Sequence, residues 1–277
     1  VIEVQVAEGS ASDLVPESLL RLGLLALALG LPAALFALRR FHARPAAPRE
    51  GAPALPVDLL LAVPLLLLSQ LAVVSLLGMW YGGVDAVPIL ANLAGVPLFL
   101  TPLASIAVLR AAQARTWRPL GLGLPDEGAT GAALVAWMLF LPLLYGLVWS
   151  SPTLYQAFGL DWAPQEHALG IATLGGSALA LAAVLAVVVV PCFEEFVFRG
   201  WLQQGLARTV GPSAGIGLTA ALFTINHDSS VWLPILVLAL LLGLLRERTQ
   251  RLWPCLAVHM AHNGVQVALL VVSLEVG

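Results

Sequence analysis

Ala178-Leu-Ala-Leu-Ala-Ala-Val-Leu-Ala-Val-Val-Val-Val-Pro191-Cys192-Phe193-Glu194-Glu195-Phe-Val-Phe-Arg199 is the stretch on which the fold turns. From Ala178 to Val190 no side chain is polar, and the run suits a helix in hydrocarbon, where a crossing takes about 20 residues. Two carboxylates and a guanidinium then follow in the same helix. A charged side chain at bilayer depth costs about 2.5–3.5 kcal/mol even on the lenient insertion scales, and such residues mark functional positions. The stretch therefore predicts a membrane helix that carries a reactive centre.

Composition extends that reading to the whole chain. Of its 277 residues 60% are hydrophobic and 10% charged, and mean hydropathy is +0.93. A soluble domain would carry about a quarter charged residues. The expected fold is all-α, a polytopic membrane bundle. A net charge of −3 without any long basic patch excludes a nucleic-acid partner. Cys192 and Cys255 are isolated, show no metal-ligand spacing, and read as buried thiols. The acidic stretch Val1–Glu17 lacks the basic n-region of a signal peptide, so the first apolar segment reads as a retained helix.

Apolar segments predict about eight spans, near 18–38, 57–80, 88–109, 129–149, 169–207, 212–228, 231–246 and 253–274. Prolines inside them, Pro142 and Pro191 among them, are tolerated in membrane helices. Every cation is an arginine. Arg39, Arg40, Arg44 and Arg49 fill the first loop; Arg110, Arg115 and Arg118 the third; Arg246, Arg248 and Arg251 the seventh. The intervening loops carry Asp85, Asp161, Glu166 and Asp228. By the positive-inside rule both termini lie outside. Trp80, Trp149, Trp162, Trp232 and Trp253 sit near span ends and suit the aromatic belt. The Gly/Pro-punctuated run 118–128 reads as an ordered connector. Residues 1–109 form an acidic segment and three helices, and 110–277 a core that holds the chemistry.

Within that core Glu195 and Arg199 are i and i+4, on one helix face. They neutralise each other, and Glu194, rotated by about 100°, points elsewhere. A turn near Thr209–Pro212 separates the fifth and sixth spans. Glu194 lies about fifteen residues before it and His227 about sixteen after, so antiparallel helices bring both to one depth, roughly 22–24 Å from the turn. A carboxylate beside an imidazole is suited to general-base work on water. His259 and Asn263 share a face of the last helix, with His262 less closely aligned. Imidazole and carboxamide can both donate to an oxyanion, and equally they can join helices as polar contacts.

Glu-Glu-x-x-x-Arg (194–199), Phe-x-x-x-His (223–227) and His-x-x-x-Asn (259–263), in this order on three late helices, resemble the CPBP family of CAAX-protease and bacteriocin-processing (ABI) intramembrane glutamic endopeptidases. The resemblance spans roughly residues 110–275. It implies that Glu194 and His227 activate water, that His259 and Asn263 hold the oxyanion, and that Glu195 and Arg199 brace the helix. No cofactor is expected. Zinc is disfavoured, because there is no His-Glu-x-x-His and the candidate ligands lie on separate helices.

The expected activity is hydrolysis of a peptide bond in a membrane-associated or lipidated protein or peptide, with the lipid bilayer as the other partner. The arginine-only, Ala/Leu-rich composition points to a bacterial plasma membrane. Two competing readings stand beside it. An inactive homologue would use the same cluster to lock a scaffold or to confer bacteriocin immunity. A proton-coupled transporter would show two related halves, and no repeat is found.

Overall fold

The computed structural model describes residues 17–42, 95, 104, 120–163, 170–171, 174 and 176–276. Among these the chain is helical and no strand occurs. We label the helices α1 (Glu17–His42), α2 (Glu127–Ala157), α3 (Gly176–Thr209), α4 (Pro212–Ile225), α5 (Trp232–Thr249) and α6 (Trp253–Val276). Four stretches are long and apolar enough to cross a membrane: Glu127–Ala157, Gly176–Thr209, Ser229–Thr249 and Trp253–Val272. The protein is an integral membrane bundle of helices. The expected spans at 57–80 and 88–109 fall almost wholly outside the described residues.

Two expected spans take a different form. The sixth is expected to reach 228, but α4 stops at Ile225 after 14 residues. At 1.5 Å per residue it covers about 21 Å, short of a bilayer core. The polar run Asn226-His-Asp-Ser-Ser230 ends it by offering the backbone side-chain partners. Asp228 accepts from Ser230 N at 2.8 Å and starts a short 3₁₀ turn, Ser229–Val231. The over-long fifth segment is a single 34-residue path from Gly176 to Thr209, about 50 Å at the α-helical rise.

Helix α3 contains two π-helical segments, Leu185–Val189 and Phe196–Leu202, on either side of the turn that holds the two glutamates. The first has its cause in Pro191, which has no N–H to give. Val190 N–H bonds back to Leu185 O, and the next donor in that series would be the proline nitrogen. The carbonyl of Ala186 is thus left without a partner in its own helix, and Asn263 Nδ2 of α6 supplies one at 2.9 Å. The second segment repeats the pattern. Gln203 N–H reaches Phe198 O, and the carbonyl of Arg199 accepts Nε of Arg246, on α5, at 3.1 Å. A buried carbonyl without a donor costs about 1–3 kcal/mol. Two neighbouring helices therefore hold the glutamate turn by its irregular backbone.

Small residues set the helix spacing elsewhere. A Cβ at Gly215 of α4 would stand 2.6 Å from the backbone of Ala207, so α3 and α4 touch at the backbone. On α1, Gly30 lies against the backbone of Leu143, on α2, and Gly23 lies against Ser150. The connector before α2 is ordered over 120–126. Leu252 N donates to Gly121 O (3.0 Å), Trp253 Nε1 to Gly123 O (2.7 Å) and Arg251 Nη1 to Leu124 O (2.7 Å). Asp126 then caps α2 through Ala129 N at 3.0 Å.

The α1–α2 contact yields a direct test. A methyl at Gly30 would sit 2.1 Å from Leu143 N, whereas one at Gly131 meets nothing within 4 Å. Gly30→Ala is expected to destabilise the protein by about 1–3 kcal/mol through forced separation of the two backbones. Gly131→Ala should be neutral or slightly stabilising. Unfolding in detergent, followed by circular dichroism, measures both.

Candidate active site

The register of α3 against α4 builds the site. Gly215 meets Ala207, the Phe223 ring lies 4.2 Å beneath the Arg199 guanidinium, and His227 stands opposite Glu194. These pairs step up the antiparallel helices from the turn at Gly211, whose φ of +88° belongs to glycine. His227 is not inside a helix as expected. It lies in the turn just past Ile225, where its Nδ1 is 2.8 Å from Phe223 O. Phe223, fully buried, packs against three polar groups: Arg199, His227 (ring centroids 4.7 Å) and His259 (5.9 Å, edge-on).

Glu195 and Arg199 are both completely buried and paired, Oε1 to Nη1, at 3.1 Å. The same Oε1 lies 2.9 Å from His259 Nδ1. A buried charge persists when it is paired and hydrogen-bonded, and Glu195 draws both partners to Oε1, Arg199 from its own helix and His259 from α6. Arg199 also donates to Ala239 O at 3.4 Å. The sequence reading made Glu195 a brace for its own helix; it also orients the imidazole of His259.

Glu194 lies between the two imidazoles. Its Oε2 is 3.7 Å from His259 Nε2 and its Oε1 4.0 Å from His227 Nε2. Both separations exceed a hydrogen bond, the range in which a bridging water serves polar groups. With His227 Nδ1–H directed at Phe223 O, the neutral ring turns an Nε2 lone pair toward Glu194. With His259 Nδ1–H directed at Glu195, Nε2 is an acceptor in the neutral ring and a donor in the imidazolium. Burial is graded across the set, from 23% side-chain exposure at His227 to 6% at Glu194, 4% at His259 and none at Glu195 or Arg199.

The fourth expected site residue, Asn263, is placed differently. Its amide nitrogen serves Ala186 O, a partnership that the Pro191 signal could have suggested. His262 turns away from Glu194, edge-on to Trp137 at 6.5 Å and beside Gln266. Arg246, expected in the seventh loop beside Arg248 and Arg251, is instead 1% exposed within α5. Three arginines crowd that region, and hydropathy does not tell a buried one from its neighbours. Among the described residues no group of three or more His, Cys, Asp or Glu is arranged to hold a metal ion.

Residues 176–265 match the family model described as type II CAAX prenyl endopeptidase Rce1-like. That segment is similar to the Rce1-like family. It holds all three motifs, from Glu194 to Asn263, and every residue of the cluster just described. The match is narrower than the 110–275 that the motifs' resemblance spans. The family so described is one of endopeptidases. No curated protein and no solved structure matches the chain.

The buried pair can be probed on its own. Arg199→Met strands the Glu195 carboxylate in the interior and is expected to cost about 3–5 kcal/mol, as when one partner of a buried pair is removed. Adding Glu195→Gln removes the stranded charge, and the double variant should recover a large part of that loss. A double-mutant cycle on detergent unfolding reads the coupling.

Proposed function

We propose that the protein is an intramembrane endopeptidase that cleaves a membrane-associated or lipidated peptide with water activated by Glu194 and His227. The observation that carries this reading is the Glu194 carboxylate between two imidazole Nε2 atoms, at 3.7 and 4.0 Å. A water in that gap can give one hydrogen to Glu194 and the other to His227 Nε2, which leaves an oxygen lone pair for the substrate carbonyl. On attack, one water proton passes to Glu194 and the C–O bond forms. The negative charge then moves to the former carbonyl oxygen, where His259 Nε2–H, as imidazolium against Glu195, is the donor. Collapse breaks the C–N bond as Glu194 returns the proton to the leaving amine. No covalent enzyme intermediate arises.

In this scheme Glu195 and Arg199 hold His259 and shield the charge. Asn263, the other oxyanion donor expected from the resemblance, serves through the Ala186 carbonyl to fix the turn that carries Glu194. No metal or other cofactor takes part. The exposure gradient supports substrate approach from the His227 side. Arginine placement supports both termini outside, and the all-arginine, Ala/Leu-rich composition supports a bacterial plasma membrane.

Glu194→Gln keeps the shape but not the base. It should lower peptide hydrolysis in proteoliposomes by about 10²–10⁴-fold, with the melting temperature close to wild type. His227→Gln should fall in the same range. Full activity of a folded Glu194→Gln protein would replace this reading by that of a scaffold whose polar cluster locks the bundle.

A further inference from the structure

The turn that carries His227 is held from outside by three aromatic donors. Trp232 Nε1, at the start of α5, donates to the carbonyl of His227 itself at 2.9 Å. Tyr155 Oη, near the end of α2, donates to Ser229 O. Trp162 Nε1, just beyond α2, donates to Ser230 O at 3.2 Å. Within the turn, His227 N bonds to Thr224 O (3.0 Å), and Ser230 N (2.8 Å) and Val231 N (3.2 Å) bond to Asp228. These local bonds shape the turn; they do not place it against the bundle. The three aromatic donors do.

We infer that Tyr155, Trp162 and Trp232 are positioning residues for His227. They clamp the 226–231 turn by three of its carbonyls, so that the imidazole stays opposite Glu194. Sequence position alone assigns Trp162 and Trp232 to the aromatic belt, where an indole N–H meets water or headgroups. Here both N–H groups meet backbone carbonyls of one six-residue turn, and a tyrosine hydroxyl from a third position does the same. The turn consists of short polar residues after a helix end, and such a segment is mobile unless tied. His227 gains only one ring contact to backbone, Nδ1 to Phe223 O. A displacement of about 1 Å at a reacting group can cost about a hundredfold in rate, so the clamp acts on catalysis without touching substrate. The inference takes its catalytic meaning from the protease reading, while the clamp itself is a statement about His227 alone.

The test uses the full chain in nanodiscs with ¹⁵N-histidine, assigned by His227→Gln and His259→Gln. Wild type should show His227 with one fixed, Nδ1-bonded ring state. Tyr155→Phe with Trp162→Phe removes two donors and keeps an aromatic ring at each position. In that protein the His227 signals should broaden or shift toward an averaged tautomer. The His259 signals, held by Glu195, should stay and report an intact fold. With a prenylated, internally quenched CAAX peptide, kcat should fall about ten- to a hundredfold with KM little changed. Should the double variant not fold, Tyr155→Phe alone carries the same readout. Unchanged His227 signals overturn the inference whatever the activity. A wild type that leaves the peptide uncut while His227 responds supports the clamp and counts against the protease reading.

Discussion

The site depends on the Glu195 carboxylate, which has no contact with solvent and is paired with Arg199 at 3.1 Å. A charge buried so deeply cannot be left with one partner. It takes a second from His259 on another helix at 2.9 Å, and Phe223 closes the set as an apolar floor under both Arg199 and His259. Once α3, α4 and α6 are tied at this point, Glu194 has one place to go. Its neighbour in sequence is fixed, and a rotation of about 100° along the helix directs its carboxylate between His227 and His259. The reactive arrangement is a consequence of how the charge next to it is neutralised.

The irregular backbone of α3 serves the same end. Pro191 and the two π-helical segments leave carbonyls that the helix does not satisfy itself. Asn263 and Arg246 reach in from α6 and α5 to do so, at Ala186 and Arg199. Six residues with two carboxylates, Val190–Glu195, are thus suspended between two points of cross-helix attachment. In a membrane interior, where water does not compete for such carbonyls, this is a firmer attachment than van der Waals packing alone.

The sequence foresaw the glutamate pair, its arginine, both histidines and the depth at which helices five and six bring Glu194 and His227 together. It did so because charges in apolar runs are conspicuous and because helical rise is constant. It misjudged the end of α4, since hydropathy does not separate a polar turn from a polar last turn of helix. The eight-span count rests in part on segments beyond the described residues. Asn263 is expected as an oxyanion donor from the resemblance, with a helix-joining contact as the alternative. Its amide nitrogen serves a carbonyl 77 positions away; Pro191 marks that carbonyl as unpaired within its own helix, but only packing shows which side chain reaches it.

By itself, then, the sequence determined a membrane bundle, the identity of its expensive polar residues and their approximate depth. These follow from composition, periodicity and the cost of burying charge. Only the tertiary structure decided which partner each polar group takes: Glu195 with His259, Asn263 with Ala186, Arg246 with Arg199, and the His227 turn with Tyr155, Trp162 and Trp232. The reason is physical. Desolvation can be read from a residue's neighbours in the chain, whereas a hydrogen bond needs two groups within about 3 Å, and that distance exists only after the helices have packed.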